Sequence, residues 1–438
     1  MNEDLAVFSG AKAAACLRTP DGELLWGWIG FAFMVYWFLF TWGSLSGARE
    51  LNTVGGILIL AVLAWAVLER LWVRVDAVVP ASIAAMLIPL VHQVAGDGTQ
   101  SGQAIFKHES VFAVIAISRL LCLPTVSRSK LRWMLAVPVL IVLLLSLLVD
   151  RGRSGGASRH SGLFGNPNNL ALIPFLLLFL VDEERDPLPL RIVVHAIVAA
   201  VLALSGTSGA IIAYGIGLGA HLKGRLSPAV RLIVLTVLLA GGSASTFLIL
   251  KGNSVLPETR LTTQLALMRS QVGEALGGGT LRYYDEERLM GEGATSGVWR
   301  LAHWRRTVET YADGTLTQQL FGFGTGSSTV LLGILPHNEY LRILFEQGLA
   351  GLLLFLFVWR RLLMTAPKPV RYLGFIIAIY SFSENNLDNF PFMSLFILFL
   401  SATGPAVAAS VPDGLRRSWQ TSDVMAPAFR ITPAGEIR

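Results

Sequence analysis

Long apolar runs recur at nearly regular intervals between Leu24 and Val407, and only one long polar stretch interrupts them. A bilayer core needs about 20 apolar residues per helix, and fewer where a helix is buried among its neighbours. The sequence therefore predicts an all-α integral membrane protein with about 12 transmembrane helices. The predicted spans are 24–44, 54–73, 77–95, 109–126, 131–149, 169–181, 190–205, 208–222, 231–250, 347–362, 371–383 and 391–410.

The composition is typical of a chain that has lipid around much of its surface. Hydrophobic residues make up 53% and charged residues only 15%, with a mean hydropathy of +0.59, whereas a soluble protein usually carries about 25% charged residues. We therefore expect membrane lipids as partners. The net charge of +6 could suggest a nucleic acid, but basic inner loops of a membrane protein explain it better, so no nucleic-acid partner is predicted.

Cysteine and acidic residues do not form a metal-binding pattern. The two cysteines, Cys16 and Cys122, are too few and too far apart in sequence for a disulfide framework or a metal cluster. The acidic residues Asp285, Glu286 and Glu287 are consecutive, so they cannot all face one ion on a helix. We expect no metal site and no other cofactor.

Lysine and arginine in the short loops predict the orientation of the chain. If the N-terminus is cytoplasmic, most of these residues fall in inner loops, as the positive-inside rule requires, and both termini are cytoplasmic. The chain then divides into an N-terminal tail at 1–23, nine spans within 24–250, a large outer loop at 251–346, three spans within 347–410 and a C-terminal tail at 411–438.

The large outer loop is too long for a passive connection, since unstructured loops of that length are uncommon in compact proteins. Apolar residues recur at helical spacing over 298–312, which predicts an amphipathic helix on or near the membrane surface. A second helix is predicted after Pro336. We therefore expect this loop to contain short helices and several of the residues that carry chemistry.

The residues after Pro336 form the first candidate site. His337 is expected in the first turn of the second helix, where its imidazole can face a cleft. Asn338 and Glu339 follow it and are candidate substrate-binding residues. A histidine that is hydrogen-bonded to the loop above it is an equally good explanation, and the spacing alone does not decide between the two.

A second candidate site lies on the amphipathic helix. Arg300 and Trp304 are four residues apart and share one helical face, so a guanidinium could be held over an aromatic ring while its donors bind a phosphate or carboxylate. The alternative is an interfacial anchor, with Trp304 at headgroup depth and Arg300 on lipid phosphate. Glycines at 322, 324 and 326 would permit close approach of the backbone to a ligand.

Two further outer segments carry polar residues. Between the fifth and sixth spans, Asn166 and Asn168 flank a proline, which predicts a turn that caps the next helix. Arg159 precedes this turn, and these three residues are also candidates for substrate binding. Before the last span, Glu384 and Asp388 could bind sugar hydroxyls or pair with outer arginines, although simple turn chemistry is at least as good an explanation.

In sequence order, these motifs resemble the O-antigen ligase and O-antigen polymerase superfamily. The similarity covers about 150–410, and its last motif is the most specific. The matching motifs are Arg159-x-Ser-Gly-x-Phe-x-Asn-Pro-Asn168, Ser-Gly-x-x-Arg300-Leu-x-x-Trp304, Gly-Phe-Gly-x-Gly326 and His337-Asn-x-Tyr-Leu-x-x-x-Phe-Glu-x-Gly348-x-x-Gly351.

The resemblance implies a metal-independent glycosyltransferase of the bacterial inner membrane, with the large outer loop in the periplasm. Members of this superfamily take a glycan from undecaprenyl diphosphate and attach it to lipid A-core, in ligases, or to a lipid-linked repeat unit, in polymerases. By the same resemblance, His337 is the essential histidine, Arg300 engages the donor diphosphate, and the sugar C1 is inverted. A chain-length regulator is a candidate partner.

The chain departs from the superfamily at one outer hairpin. Many members carry Ser-Arg-Gly where this chain has Thr207-Ser208-Gly209. Either Arg159 or another outer residue compensates for the missing arginine, or the donor is held differently. The missing arginine slightly favours a polymerase of O-antigen or exopolysaccharide over a ligase, and both remain open.

A twelve-span secondary transporter or a flippase for lipid-linked glycans is the alternative from a different class. Transporters usually place ionisable or helix-breaking residues near the middle of the membrane and show repeat symmetry. Here the ionisable groups gather in outer loops, and one large loop breaks any symmetry. This distribution favours the enzyme.

Overall fold

The computed structural model describes residues 21–48, 50–69, 76–95, 102–120, 128–149, 161–181, 186–222, 296–366 and 368–402. These residues form helices and turns without a strand, which confirms the all-α fold class. The predicted ninth span at 231–250, Arg159, both cysteines and the residues before 21 and after 402 lie outside the described residues.

Fourteen α-helices are numbered here in chain order through the described residues. They are α1 Asp21–Ser46, α2 Glu50–Glu69, α3 Val78–Ala95, α4 Gly102–Leu120, α5 Arg128–Leu148, α6 Pro167–Leu177, α7 Leu188–Ser205, α8 Ser208–Leu222, α9 Ser296–Ala312, α10 Leu316–Phe321, α11 Ser327–Leu332, α12 Glu339–Thr365, α13 Lys368–Tyr380 and α14 Phe390–Ala402. Short 3₁₀ turns occupy Gly162–Phe164, Leu178–Leu180 and Asn386–Asp388.

Several of these helices have the length and composition of membrane spans. Four are long and apolar enough to cross a bilayer, namely Gly27–Ser46, Glu50–Leu68, Leu188–Ser205 and Glu339–Thr365. Shorter apolar helices are Val78–Pro89, Val137–Leu148, Pro167–Leu177 and Arg371–Tyr380. Every predicted span except the ninth overlaps a described helix. The membrane class therefore has structural support, whereas the count of twelve spans stays a prediction.

The outer faces of these helices are apolar. Phe38 is 65% exposed, Leu148 is 81% exposed and Ile212 is 58% exposed, and each lies on a different helix with other exposed aliphatic and aromatic side chains. Soluble proteins rarely expose contiguous apolar surface on this scale. In helices that already satisfy their backbone hydrogen bonds internally, such a surface is typical of contact with lipid.

Helices α6 and α14 form the centre of the bundle. Nearly every residue of α6 is buried, and in α14 the rings of Phe392, Phe396 and Phe399 are almost fully buried. Phe179, just after α6, packs its ring 5.3 Å from the rings of both Phe396 and Phe399. At the other end of α6, Asn168 bonds Glu384 in the turn that precedes α14.

Helix α12 is broken at Gly348, which has φ 69° and ψ −170°. The carbonyls of Phe345 and Glu346 accept hydrogen bonds from the backbone N–H groups of Phe323 and Gly324, at 2.9 and 3.0 Å. The glycine-rich loop therefore satisfies carbonyls that the break removes from the helical pattern. The span predicted to begin at 347 starts at this break, while the helix itself begins at Glu339.

The glycine-rich loop after α10 packs against α12 rather than standing open. A Cβ at Gly322 would overlap the backbone of Glu346 and Gln347, and a Cβ at Gly348 would overlap the backbone of Leu320. The carboxylate of Glu346 accepts hydrogen bonds from the Ser328 hydroxyl and the Gly326 backbone. The sequence predicted that these glycines let the backbone approach a ligand. In the structure they let it approach α12 and the Glu346 carboxylate.

A second charged cluster lies at the other end of α12. Arg119, in the last turn of α4, pairs with Asp76 and donates to the Thr365 hydroxyl at 3.3 Å. Near the α12 break, Gln347 bonds His108 of the same helix α4 at 2.7 Å. Side chains of α4 therefore reach α12 near its break and at its C-terminal end, and Arg119 is held by specific partners.

Candidate active site

The Glu384 carboxylate joins three side chains from distant parts of the sequence. Its Oε1 accepts hydrogen bonds from Arg300 Nη2, at 3.0 Å, and from Asn168 Nδ2. Its Oε2 lies 3.2 Å from His337 Nδ1. The side chain of Glu384 is only 10% exposed, so these contacts form in a largely desolvated place, where charge-assisted hydrogen bonds are strong.

His337 lies two residues before α12, not inside its first turn as predicted. The helix begins at Glu339, and Asn338 is its N-cap, with Oδ1 accepting the N–H groups of Tyr340 and Leu341 at 3.1 Å. His337 has φ 50°, in the left-handed region that non-glycine residues rarely adopt. Such strain persists only where the surroundings enforce it, and it is frequent at functional sites.

Helix α9 enforces the position of His337. Trp304 donates its indole N–H to the Pro336 carbonyl at 2.7 Å. His303 bonds the Ile334 carbonyl at 3.1 Å. Trp304 therefore fixes the backbone directly before His337, while Arg300, one turn earlier on the same helix, reaches Glu384. The predicted helix at 298–312 matches α9, and its residues position both reactive side chains.

Arg300 is held on one side only. Its side chain is 17% exposed, and Nη2 bonds Glu384. Its Nε is buried and has no hydrogen-bond partner among the residues that the structure describes. A buried guanidinium donor without a partner costs free energy unless something occupies it, because the group has lost its water. An anionic ligand would supply that acceptor.

Asn166 and Asn168 hold the scaffold side of the site. Asn166 is the N-cap of α6 and accepts the Asn168 N–H at 2.9 Å, which confirms the predicted cap. Asn168 is buried, and its Oδ1 accepts from the Thr207 hydroxyl at 3.3 Å. Its carbonyl accepts from the Tyr380 hydroxyl at 3.1 Å. Asn168 therefore connects Glu384 to α6, α13 and the hairpin before α8.

The hairpin that lacks an arginine lies beside the same carboxylate. A Cβ at Gly209 would overlap the Ser383 hydroxyl, one residue before Glu384. Ser208, at the arginine position of the superfamily motif, is exposed. The hairpin is therefore part of the candidate active site even though its own side chains carry no charge.

Glu339 lies behind the site rather than in it. Its side chain is fully buried, and its Oε1 accepts from Arg342 at 2.5 and 2.8 Å. Its Oε2 accepts the Leu387 N–H at 2.9 Å, and Arg342 Nη1 also donates to Asp388 at 2.6 Å. Asn338 is occupied as the helix cap. This geometry supports structural roles for both predicted substrate-binding residues.

The sequence offered Glu384 as a partner for outer arginines, which its contact with Arg300 matches. It gave no sign that Glu384 also reaches His337, because an acidic residue in a polar turn has no local signal for one specific partner. The Asn385 side chain beside it is buried, and its Oδ1 has no partner among the described residues. In the described part of the chain, no group of three or more His, Cys, Asp or Glu could hold a metal ion.

The arrangement can perform two chemical tasks. A guanidinium with an unused buried donor can bind an anion such as a phosphate oxygen. An imidazole whose Nδ1 is held by a carboxylate can accept a proton at Nε2. No protein-family model matches this chain, and no curated protein is similar enough to be a relative. Function must therefore be argued from the site itself.

Proposed function

We propose that this protein is a membrane glycosyltransferase that moves a glycan from undecaprenyl diphosphate to an acceptor hydroxyl at the periplasmic face of the bacterial inner membrane. The supporting observation is that Arg300 and His337, which the motifs predict as the reactive pair, bond opposite oxygens of one carboxylate. A site for a lipid-linked diphosphate needs an anion-binding group and a proton acceptor this close together.

The reaction follows from the charge of the donor. The acceptor hydroxyl oxygen attacks the sugar C1, the C1–O bond to the diphosphate breaks, and the configuration at C1 inverts. Arg300 stabilises the negative charge that develops on the departing diphosphate. His337 accepts the hydroxyl proton, which typically contributes a factor of about 10²–10⁴ to the rate. Undecaprenyl diphosphate is the second product.

The acceptor is lipid A-core in a ligase or a lipid-linked repeat unit in a polymerase. We favour polymerisation of O-antigen or exopolysaccharide, because the hairpin at 207–209 lacks the arginine of the superfamily motif. Arg159 would supply a second cation for the diphosphate from the outer loop before α6. A chain-length regulator would be a natural partner of a polymerase, since the proposed reaction is the same at every addition and does not itself limit chain length.

The test is glycan transfer by purified protein in liposomes with an undecaprenyl-diphosphate-linked glycan as donor. We expect His337→Ala to insert and fold but to lose product formation by at least about 100-fold. Arg300→Lys keeps the charge but loses the planar fork, so turnover should fall by at least about tenfold.

Two matched variants control this test. His195→Ala removes a histidine on α7 that bonds Tyr214, and Arg305→Lys changes an exposed arginine on α9 that pairs with Glu309. Both should transfer glycan as the parent does. Full product from His337→Ala would remove His337 from the chemistry, and movement of intact donor across the bilayer without glycosidic bond formation would indicate a flippase.

A further inference from the structure

We infer that Glu384 is the positioning residue of this site, which sets the proton tautomer of His337 and holds Arg300 in place for the donor. This inference rests on the proposed function for its catalytic consequence, but its structural part can be measured without any substrate.

The scaffold holds Glu384 from behind. Asn168 donates its side-chain N–H to Oε1, and Asn168 is itself bonded to Thr207 and Tyr380. The backbone around the carboxylate is also held, because the Glu339 N–H donates to the Ser381 carbonyl at 2.8 Å. Glu384 is therefore held in place by its surroundings and can orient the two side chains that it contacts.

The carboxylate selects one tautomer of His337. An ionised carboxylate only accepts hydrogen bonds, so Nδ1, at 3.2 Å from Oε2, must carry the proton of the neutral imidazole. The lone pair then lies on Nε2, which is the nitrogen that accepts a proton from an acceptor hydroxyl. The same carboxylate stabilises the imidazolium that this transfer produces.

The same carboxylate also neutralises Arg300 before the donor arrives. Arg300 Nη2 donates to Oε1 at 3.0 Å, while the buried Nε has no partner among the described residues. A guanidinium has five N–H donors, so it can bind a diphosphate oxygen through Nε without giving up Glu384. Glu384 therefore holds Arg300 and His337 close together, while the Nε–H of Arg300 stays available to bind the donor.

The first experiment measures the tautomer. We expect ¹⁵N NMR of histidine-labelled protein in lipid to show the neutral His337 protonated at Nδ1, with its signal assigned among seven histidines by its absence in His337→Ala. In Glu384→Gln the amide can donate to Nδ1, so the proton should move toward Nε2. An Nε2-protonated imidazole in the parent protein would overturn the inference, even if Glu384→Gln does not fold.

The second experiment measures transfer kinetics. In Glu384→Gln we expect kcat to fall by at least about 100-fold, because the imidazole loses the carboxylate that orients it. The donor KM should rise as well, because Arg300 loses the carboxylate that holds it in place for the donor. Glu384→Asp should recover part of kcat.

Glu309→Gln is the matched control. It makes the same change at an exposed carboxylate that pairs with Arg305 and not with His337, so its tautomer and kcat should stay with those of the parent. An unshifted tautomer and kcat in Glu384→Gln would refute the positioning role, while loss of transfer in His337→Ala would still support the enzyme. A parent protein that transfers no glycan would instead refute the proposed function and leave the tautomer measurement valid.

Discussion

At the residue scale, glycine matters most where two backbones touch. Gly348 combines φ 69° with a position against the backbone of Leu320, so a side chain there meets both conformational and steric resistance. The contact holds the loop after α10 against the break in α12. The loop is followed by α11 and then by His337. A substitution at Gly348 that displaces the loop would therefore also displace the site.

We predict that Gly348→Ala lowers the free energy of unfolding by at least about 2 kcal/mol, because this combination of positive φ with extended ψ is almost confined to glycine and costs about 1–3 kcal/mol for other residues. The measurement is the apparent melting temperature of the purified protein in one detergent. Gly215→Ala is the control, since no atom lies within 4 Å of a Cβ at that site in α8 and alanine favours a helix. Equal melting of the two variants would contradict the tight backbone contact.

Residue patterns alone predicted part of the site correctly. The cap by Asn166 and the helix around Arg300 follow from local spacing, whereas the grouping of His337 with Arg300 follows from the family resemblance. The role of Glu384 follows from neither, because its partners Asn168, Arg300 and His337 are 216, 84 and 47 residues away in sequence. A side chain's partners at such separations are decided by packing of the whole bundle.

At the element scale, a buried ion cluster joins α12 to the turn before α14. Glu339, Arg342 and Asp388 form it, and the Glu339 carboxylate also caps the backbone of that turn through Leu387. Because Glu384 belongs to the same turn, this cluster sets how closely Glu384 approaches His337.

We predict that Glu339→Gln destabilises the protein by about 3–5 kcal/mol, because it leaves the buried Arg342 with one charged partner fewer. Thermal unfolding in detergent measures the change. Glu309→Gln is the control, since it breaks an exposed pair with Arg305 on α9, and such pairs contribute little. A melting temperature for Glu339→Gln that matches Glu309→Gln would contradict the structural role of the cluster.

The start of α12 also depends both on the local sequence and on contacts with distant segments. The predicted start of the tenth span at 347 falls at the break in α12, because Gly348 and the polar residues before it end the apolar run there. The helix nevertheless continues back to Glu339, since buried partners from other elements satisfy those polar residues. Searching the sequence for apolar runs therefore finds the break at Gly348 but not the helical turns before it.

At the scale of the whole molecule, α12 separates two charged regions. Its continuous part after the break runs over 349–365, which corresponds to a length of about 25 Å, close to the bilayer core of about 30 Å. Glu384, His337 and Arg300 lie at its N-terminal end, and Asp76, Arg119 and Thr365 lie at its C-terminal end. The two clusters can therefore lie on opposite sides of one membrane.

We predict opposite labelling of these ends in spheroplasts by a membrane-impermeant maleimide. In a background with Cys16→Ser and Cys122→Ser, a cysteine at the exposed position Asp313 should react in intact cells, because it follows α9 on the site side. A cysteine at the exposed position Arg361 should react only after lysis. The reverse pattern would contradict the orientation, and labelling of both in intact cells would contradict the span.

Amino-acid patterns were enough to predict the membrane class, the positions of most helices and the residues to test, because apolar run length, helical spacing and capping act over a few neighbouring residues. The packed bundle was needed to show that one buried carboxylate contacts a guanidinium, an imidazole and an amide, and that Glu339 supports the site from behind. Those pairings form between segments that meet only when the bundle packs, where the loss of water makes each unpaired polar group costly.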